Sequence, residues 1–65
     1  MEILVNGKPH SVAAGFNVAQ LLEELKLTGR LAMEINQEIV PRSHYTARQL
    51  QSGDRVEIVH AIGGG

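Results

Sequence analysis

Cysteine is absent from the 65 residues, which excludes disulfides, thiolate metal sites and thiol catalysis. Tryptophan is absent too, and Phe16 and Tyr45 are the only aromatics, so the core must be aliphatic. No apolar run exceeds three residues, Ile3-Leu4-Val5 being one; neither a membrane span nor a secretory h-region fits, and a cytoplasmic protein is expected. Charge of one sign is lacking as well. Six Lys+Arg stand against seven Asp+Glu, a net charge of -1. Nonspecific nucleic-acid or anionic-membrane binding usually needs a basic excess, so neither partner is expected. No GxxxxGK[ST] or GxGxxG occurs, and the chain should not bind ATP by itself. A chain of this length is one small domain that buries only roughly 60% of its unfolded surface. It seldom builds a full enzyme active site, and a module that works with partners is expected.

What is present reads as strands around one helix. Glu2 to Val5 is a strand, and Asn6-Gly7 suits a two-residue type I′ turn into a second strand, Lys8 to Ala13. Pro9 has no N–H to donate, so this second strand belongs at a sheet edge. Val18, Leu21, Leu22 and Leu25 recur at i, i+3, i+4 and i+7, the apolar stripe of a helix. Asn17 is the N-cap, Gln20 can complete a capping box, and Gly29 is placed to end the helix or its overrun. Leu31 to Asn36 alternates as a third strand; Gln37-Glu38 turns it into the short run Ile39-Val40, which Pro41 stops. Thr46 to Leu50 is expected to form one helical turn that drops Leu50 into the core. Ser52-Gly53-Asp54 launches the last strand, Arg55 to His60.

The fold class is therefore α+β: a mixed sheet of about five strands with one amphipathic helix on one face. One helix covers one face only. Leu4 opposes Ile3 and Val5, and Val59 and Ala61 oppose Val56 and Ile58. Either the 42–52 loop covers Leu4 and Val59, or they form an exposed apolar patch of the kind that marks a partner surface.

The end of the chain is its most unusual feature. Gly63-Gly64-Gly65 follows directly on the last strand. The expected organisation is a single domain over 1–62 and a flexible glycine tail over 63–65. Such residues pack nothing and carry the largest backbone entropy. Extended from Ile62 to Gly65, they reach roughly 13 Å at about 3.3 Å per residue. Without side chains, they can thread a narrow channel and present the Gly65 carboxylate to another protein's active site. That carboxylate is ionised and inert as an acyl donor at neutral pH. It becomes reactive once an oxygen is made a leaving group, for example by adenylation. A frayed terminus or the stub of a cut linker also reads as glycine, but this tail leaves a strand of an intact domain.

Other groups offer less chemistry. His10, His44 and His60 lie far apart without metal-ligand spacing, and Ser11, Ser43 and Ser52 sit in no nucleophile motif. Glu23 and Glu24 read as a solvated helix face, and Arg42 as a solvated loop residue.

Ile3-Leu4-Val5-Asn6-Gly7, Ile35-Asn36-Gln37-Glu38-Ile39-Val40-Pro41-Arg42, Gly53-Asp54-Arg55-Val56-Glu57-Ile58-Val59 and the diglycine end occur in that order. Together they resemble ThiS, the sulfur carrier family of thiamin biosynthesis, and the resemblance covers nearly the whole chain. It implies a β-grasp (ubiquitin-like) fold. It also implies that an E1-like enzyme adenylates Gly65 with Mg-ATP, while this chain binds no cofactor. A sulfur donor system then makes a thiocarboxylate, and thiazole synthase accepts the sulfur. The carrier is a co-substrate and not an enzyme. Gly63 and Gly64 form the threading arm, and Leu4, Val59 and Ile62 are the expected partner contacts. Gly63 makes three glycines where the family pattern has two. The molybdopterin synthase small subunit shares the fold and the Gly-Gly end, so a carrier to that or another acceptor is the alternative, as is a protein modifier joined through Gly65.

Overall fold

Both asparagine turns of the chain adopt left-handed backbone, and each delivers a strand to one mixed sheet. The computed structural model describes residues 1–60. Strand β1, Glu2–Val5, turns through Asn6 (φ 50°) and Gly7 (φ 82°) into β2, Lys8–Ser11. Asparagine and glycine tolerate these positive φ values, as a type I′ turn demands. β2 stops short of the expected Ala13. Val12 nonetheless stays paired, since its N–H donates to Met1 O and the Met1 amino group donates to Val12 O.

Helix α1 spans Val18–Glu24 and begins with the expected capping box between Asn17 and Gln20. Its end differs from expectation: Lys26 (φ 58°), rather than Gly29, takes the left-handed position. Lys26 N–H donates to Glu23 O and Leu27 N–H to Leu22 O, the paired bonds of a Schellman motif. A lysine tolerates that φ at modest cost, while Gly29 turns the chain toward the next strand.

Strand β3, Leu31–Ile35, and strand β4, Glu38–Ile39, are joined through Asn36 and Gln37, at φ 53° and 70°. The turn thus falls one residue before the expected Gln37-Glu38, and Val40 lies beyond β4. Asn36 decides the position, because its backbone accepts αL and its side chain finds partners there. A 3₁₀ turn follows at Arg42–His44. The helical turn expected at Thr46 to Leu50 does not form; Pro41 starts the turn earlier, and Gln49 instead bridges to Asn17. Leu50 is buried as expected.

Strand β5, Arg55–His60, agrees with expectation and takes the centre of the sheet, whose order is β2-β1-β5-β3-β4. β5 runs parallel to β1 and antiparallel to β3. β2 is an edge strand, as Pro9 requires. The core packs Ile3, Val56, Ile58, Met33 and Ile35 of the inner face against Val18, Leu21 and Leu22 of the helix, with Val12, Val40 and Leu50 closing its margins.

Asp54 is the one buried charged residue among those described. Its carboxylate accepts from Gln51 N–H at 2.8 Å and Asn36 Nδ2 at 3.0 Å, and Arg48 Nη2 lies 3.5 Å away. These partners offset the cost of desolvating the charge. They also tie the loop before β5 to the β3–β4 turn.

Candidate functional site

The site is assembled around the end of β5. Being central, this strand is held on both sides. On the β3 side, Arg55 N–H donates to Asn36 Oδ1 at 3.0 Å and Asn36 N–H donates to Arg55 O at 2.8 Å. On the β1 side, Asn6 N–H donates to Val56 O, and the Asn6 side chain continues the ladder to Ile58. The last residue of β5, His60, stands opposite Leu31. His60 is the last described residue. The tail positions Ile62, Gly63, Gly64 and Gly65, and Ala61 before them, lie outside the described residues.

The sheet face away from α1 is open. Leu4, Pro9, Ala32, Val59 and Ile39 share it by register, together with Glu34, Arg55 and Glu57. Val59 is 61% exposed and Leu4 half-buried. The 42–52 segment does not cover them. It lies on the helix side, where Val18 N–H donates to Arg48 O and Ala19 N–H to Tyr45 O. Of the two, Val59 is exposed and Leu4 is only partly so.

The two residues share a face but do not touch as a pair. Leu4 pairs with Arg55, and Val59 lies four residues further along β5, about 13 Å at 3.3 Å per residue. Sequence reasoning missed Ile39, which is 77% exposed and opposite Glu34 on this face. The strand alternation of Leu31, Met33 and Ile35, carried around a two-residue turn, was the signal that placed Ile39 outward. Glu34 and Glu57 stand directly opposite each other in the β3–β5 ladder, an arrangement of like charges that disfavours the isolated sheet. The face thus combines apolar side chains with the Glu34–Glu57 pair, and Arg55 stands beside Leu4.

The histidines stay apart. His10 Nε2 is 3.0 Å from Glu24 Oε2, linking β2 to the end of α1. Among the described residues, no cluster of three His, Cys, Asp or Glu could hold a metal ion. No described helix is long and apolar enough to cross a membrane.

The ThiS family model matches residues 3–65, from the first strand to the last glycine. The chain belongs to the ThiS family. It is 39% identical over 66 residues to the sulfur carrier protein ThiS of Escherichia coli K12, with both chains covered completely. A crystal structure of ThiS from Geobacter metallireducens superposes with a TM-score of 0.88 at 38% identity, again covering all of both chains. The five-stranded mixed sheet with its single helix is accordingly the β-grasp fold of ThiS. A thiazole synthase of Paramagnetospirillum magneticum is 42% identical over 66 residues that comprise 20% of its length. That enzyme contains a ThiS-like segment, and the present chain spans one fifth of it.

Proposed function

We propose that this ThiS-family chain carries sulfur on Gly65 for assembly of the thiazole of thiamin. The observation that carries the reading is the end-to-end likeness to the E. coli sulfur carrier. In the proposed cycle, a Gly65 carboxylate oxygen attacks the α-phosphorus of Mg-ATP in an E1-like enzyme, and pyrophosphate leaves. Hydrosulfide released by a donor system attacks the acyl carbon and AMP departs, which leaves a thiocarboxylate. Thiazole synthase takes that sulfur, and hydrolytic return of the carboxylate completes the turnover. The chain is a co-substrate throughout, and Mg-ATP belongs to the activating enzyme.

The tail's chemistry explains this division of labour. Gly63 and Gly64 present no side chain to the walls of a narrow channel, so the carboxylate can reach a site buried in a partner. β5 supplies the opposite property, a rigid base held on both sides. Leu4 and Val59 of the open face, with Ile39 added, form the surface that partners grip, and Ile62 is proposed as a further partner contact. Thiazole synthase is favoured as the acceptor over a molybdopterin-type acceptor because ThiS-like segments occur within thiazole synthases. ATP-dependent activation places the cycle in the cytoplasm.

Intact mass after incubation with Mg-ATP, a sulfur source and the candidate activating enzyme tests the proposal. A gain equal to the exchange of one oxygen for sulfur is expected. No gain, with an enzyme competent on a known carrier, rejects it.

A further inference from the structure

The turn between β1 and β2 holds a reactive pair of residues that sulfur carriage does not use. The sequence has three asparagines: Asn6 stands before Gly7, Asn17 before Val18 and Asn36 before Gln37. The backbone nitrogen that follows an asparagine can attack its side-chain carbonyl, and a glycine there leaves the approach unhindered. Valine, branched at Cβ, crowds the same approach at Asn17. Asn6 is exposed. Apart from Gly7's own chain neighbours, no atom lies within 4 Å of where a Cβ on Gly7 would sit, so water reaches the turn. Both polar atoms of the Asn6 side chain are nevertheless engaged. Nδ2 donates to Ile58 O at 3.2 Å, and Oδ1 accepts from Ile58 N–H at 2.8 Å. The Asn6 N–H donates in addition to Val56 O at 2.8 Å.

We propose that Asn6 is a site of spontaneous deamidation that its two bonds to Ile58 hold closed in the folded chain. The Gly7 nitrogen bonds to Asn6 Cγ and gives up its proton, the Cγ–Nδ2 bond breaks, and the amide nitrogen leaves as ammonia. The resulting succinimide takes up one water. Opening at one ring C–N bond yields aspartate; opening at the other yields isoaspartate, whose main chain runs through Cγ. No atom is oxidised or reduced, and water is the only co-reactant. Attack requires the amide to turn away from Ile58 and Nδ2 to depart, so both bonds must break first. Two hydrogen bonds of ordinary strength correspond to a slowing of about tenfold or more. The reaction therefore runs through chains in which β5 around Ile58 has parted from the β1–β2 turn, a local opening. It also runs one way. Aspartate has no donor for Ile58 O and sets a second acceptor beside it, while isoaspartate adds a carbon to the main chain of the turn. Neither product restores the pair of bonds, and each conversion leaves the central strand less firmly held.

The full chain is kept at mildly alkaline pH in sodium chloride and, in parallel, in unfolding guanidinium chloride of equal ionic strength. Its proteolytic peptides are then weighed, and the aspartate and isoaspartate forms are separated by chromatography. In the unfolded chain Asn6 should convert first and yield both products, with Asn17 and Asn36 slower. In the folded chain Asn6 should convert at least about tenfold more slowly, the factor set by the two bonds. Exchange of the Ile58 amide hydrogen at rising, sub-denaturing guanidinium supplies a second measurement. Deamidation and Ile58 exchange should accelerate together, since both need the Asn6–Ile58 pair open. Asn6→Asp, which reproduces the aspartate product, should unfold at a lower denaturant concentration than the unaltered chain. An Asn6 that converts as fast folded as unfolded, or that outlasts Asn36 in the unfolded chain, overturns the proposal. So does deamidation that stays constant while Ile58 exchange rises. Equal midpoints for Asn6→Asp and the unaltered chain would overturn the loosening of β5.

Discussion

Asn6 and Ile58 are joined by two hydrogen bonds across 52 residues of sequence: Asn6 Nδ2 donates to Ile58 O at 3.2 Å, and Ile58 N–H donates to Asn6 Oδ1 at 2.8 Å. The side-chain amide thus stands in for a further residue of β1 and completes the parallel ladder along β5. Asn36 does the same service from the other flank through Arg55 and Asp54. Two turn residues chosen for left-handed backbone therefore also hold the central strand β5.

Asn6→Ala should be costly for that reason. It deletes both bonds to Ile58 and puts alanine, which lacks asparagine's tolerance of left-handed backbone, at φ 50°. A loss of about 2–4 kcal/mol is expected from the combined terms, read as a lower urea midpoint. Asn6→Gly relieves the backbone strain and isolates the hydrogen-bond contribution, so its loss should be the smaller of the two.

Val59→Glu separates the partner surface from the core. Val59 is well exposed and faces Ala32 across the ladder, so the melting temperature should shift by only a few degrees, about the effect of 1 kcal/mol or less. Binding to the activating enzyme should fall by about tenfold. Unfolding of this variant would place Val59 in the core. Met33→Ala is the contrast: Met33 is 1% exposed, and its truncation should cost about 2–5 kcal/mol.

Removal of Gly65 should abolish thiocarboxylate formation and leave the unfolding curve unchanged. Among the described residues, the buried core lies wholly before position 60, and an unchanged curve is the expected outcome. A shortened chain that still gained sulfur mass would sink the assignment of the acyl group to Gly65.

Gly64→Val tests threading. A β-branched side chain stiffens the backbone and widens the arm by two methyl groups, so kcat/KM for adenylation should drop by at least about a hundredfold. Unchanged kinetics would mean that the arm does not pass through a narrow channel.

Substitution of the capping residue probes the start of the helix and its tie to the later loop, since Asn17 Nδ2 also donates to Thr46 O at 3.3 Å. Asn17 Oδ1 accepts from Gln20 N–H at 2.8 Å, and Gln20 Oε1 accepts from Asn17 N–H at 2.8 Å. Asn17→Ala should cost about 1 kcal/mol. Because α1 lies on the face opposite Val59, affinity for the activating enzyme should not change.

Local chemistry made much of this protein readable from its residues. Asn6-Gly7 specified a hairpin because few other pairs accept positive φ twice. Asn17 and Gln20 marked the start of α1, and its apolar stripe pointed to the core. Alternation placed Met33 and Ile35 inward, and Ser52-Gly53-Asp54 launched β5 at the residue where it begins. The glycine end, which needs no packing to be recognised, is the ground on which the acyl chemistry is proposed.

Interactions between distant segments were decided only in the tertiary structure. Nothing in the spacing of Leu4 and Arg55 reveals that their strands pair in parallel. Nor does it reveal that Asn6 and Asn36 close on β5 from both sides. The β3–β4 turn settled on Asn36 and Gln37 because Asn36 finds Asp54 and Arg55 there. The helix closed at Lys26 because Leu27 could then turn back onto the core. Arg42, a solvated loop residue by its neighbours alone, came to stand over a leucine-lined hollow through its bond to Gly29. The division has one physical cause. Turn dihedrals, caps and side-chain periodicity are set within a few residues, whereas strand partners and surface hollows depend on which remote segments can bury their apolar faces together.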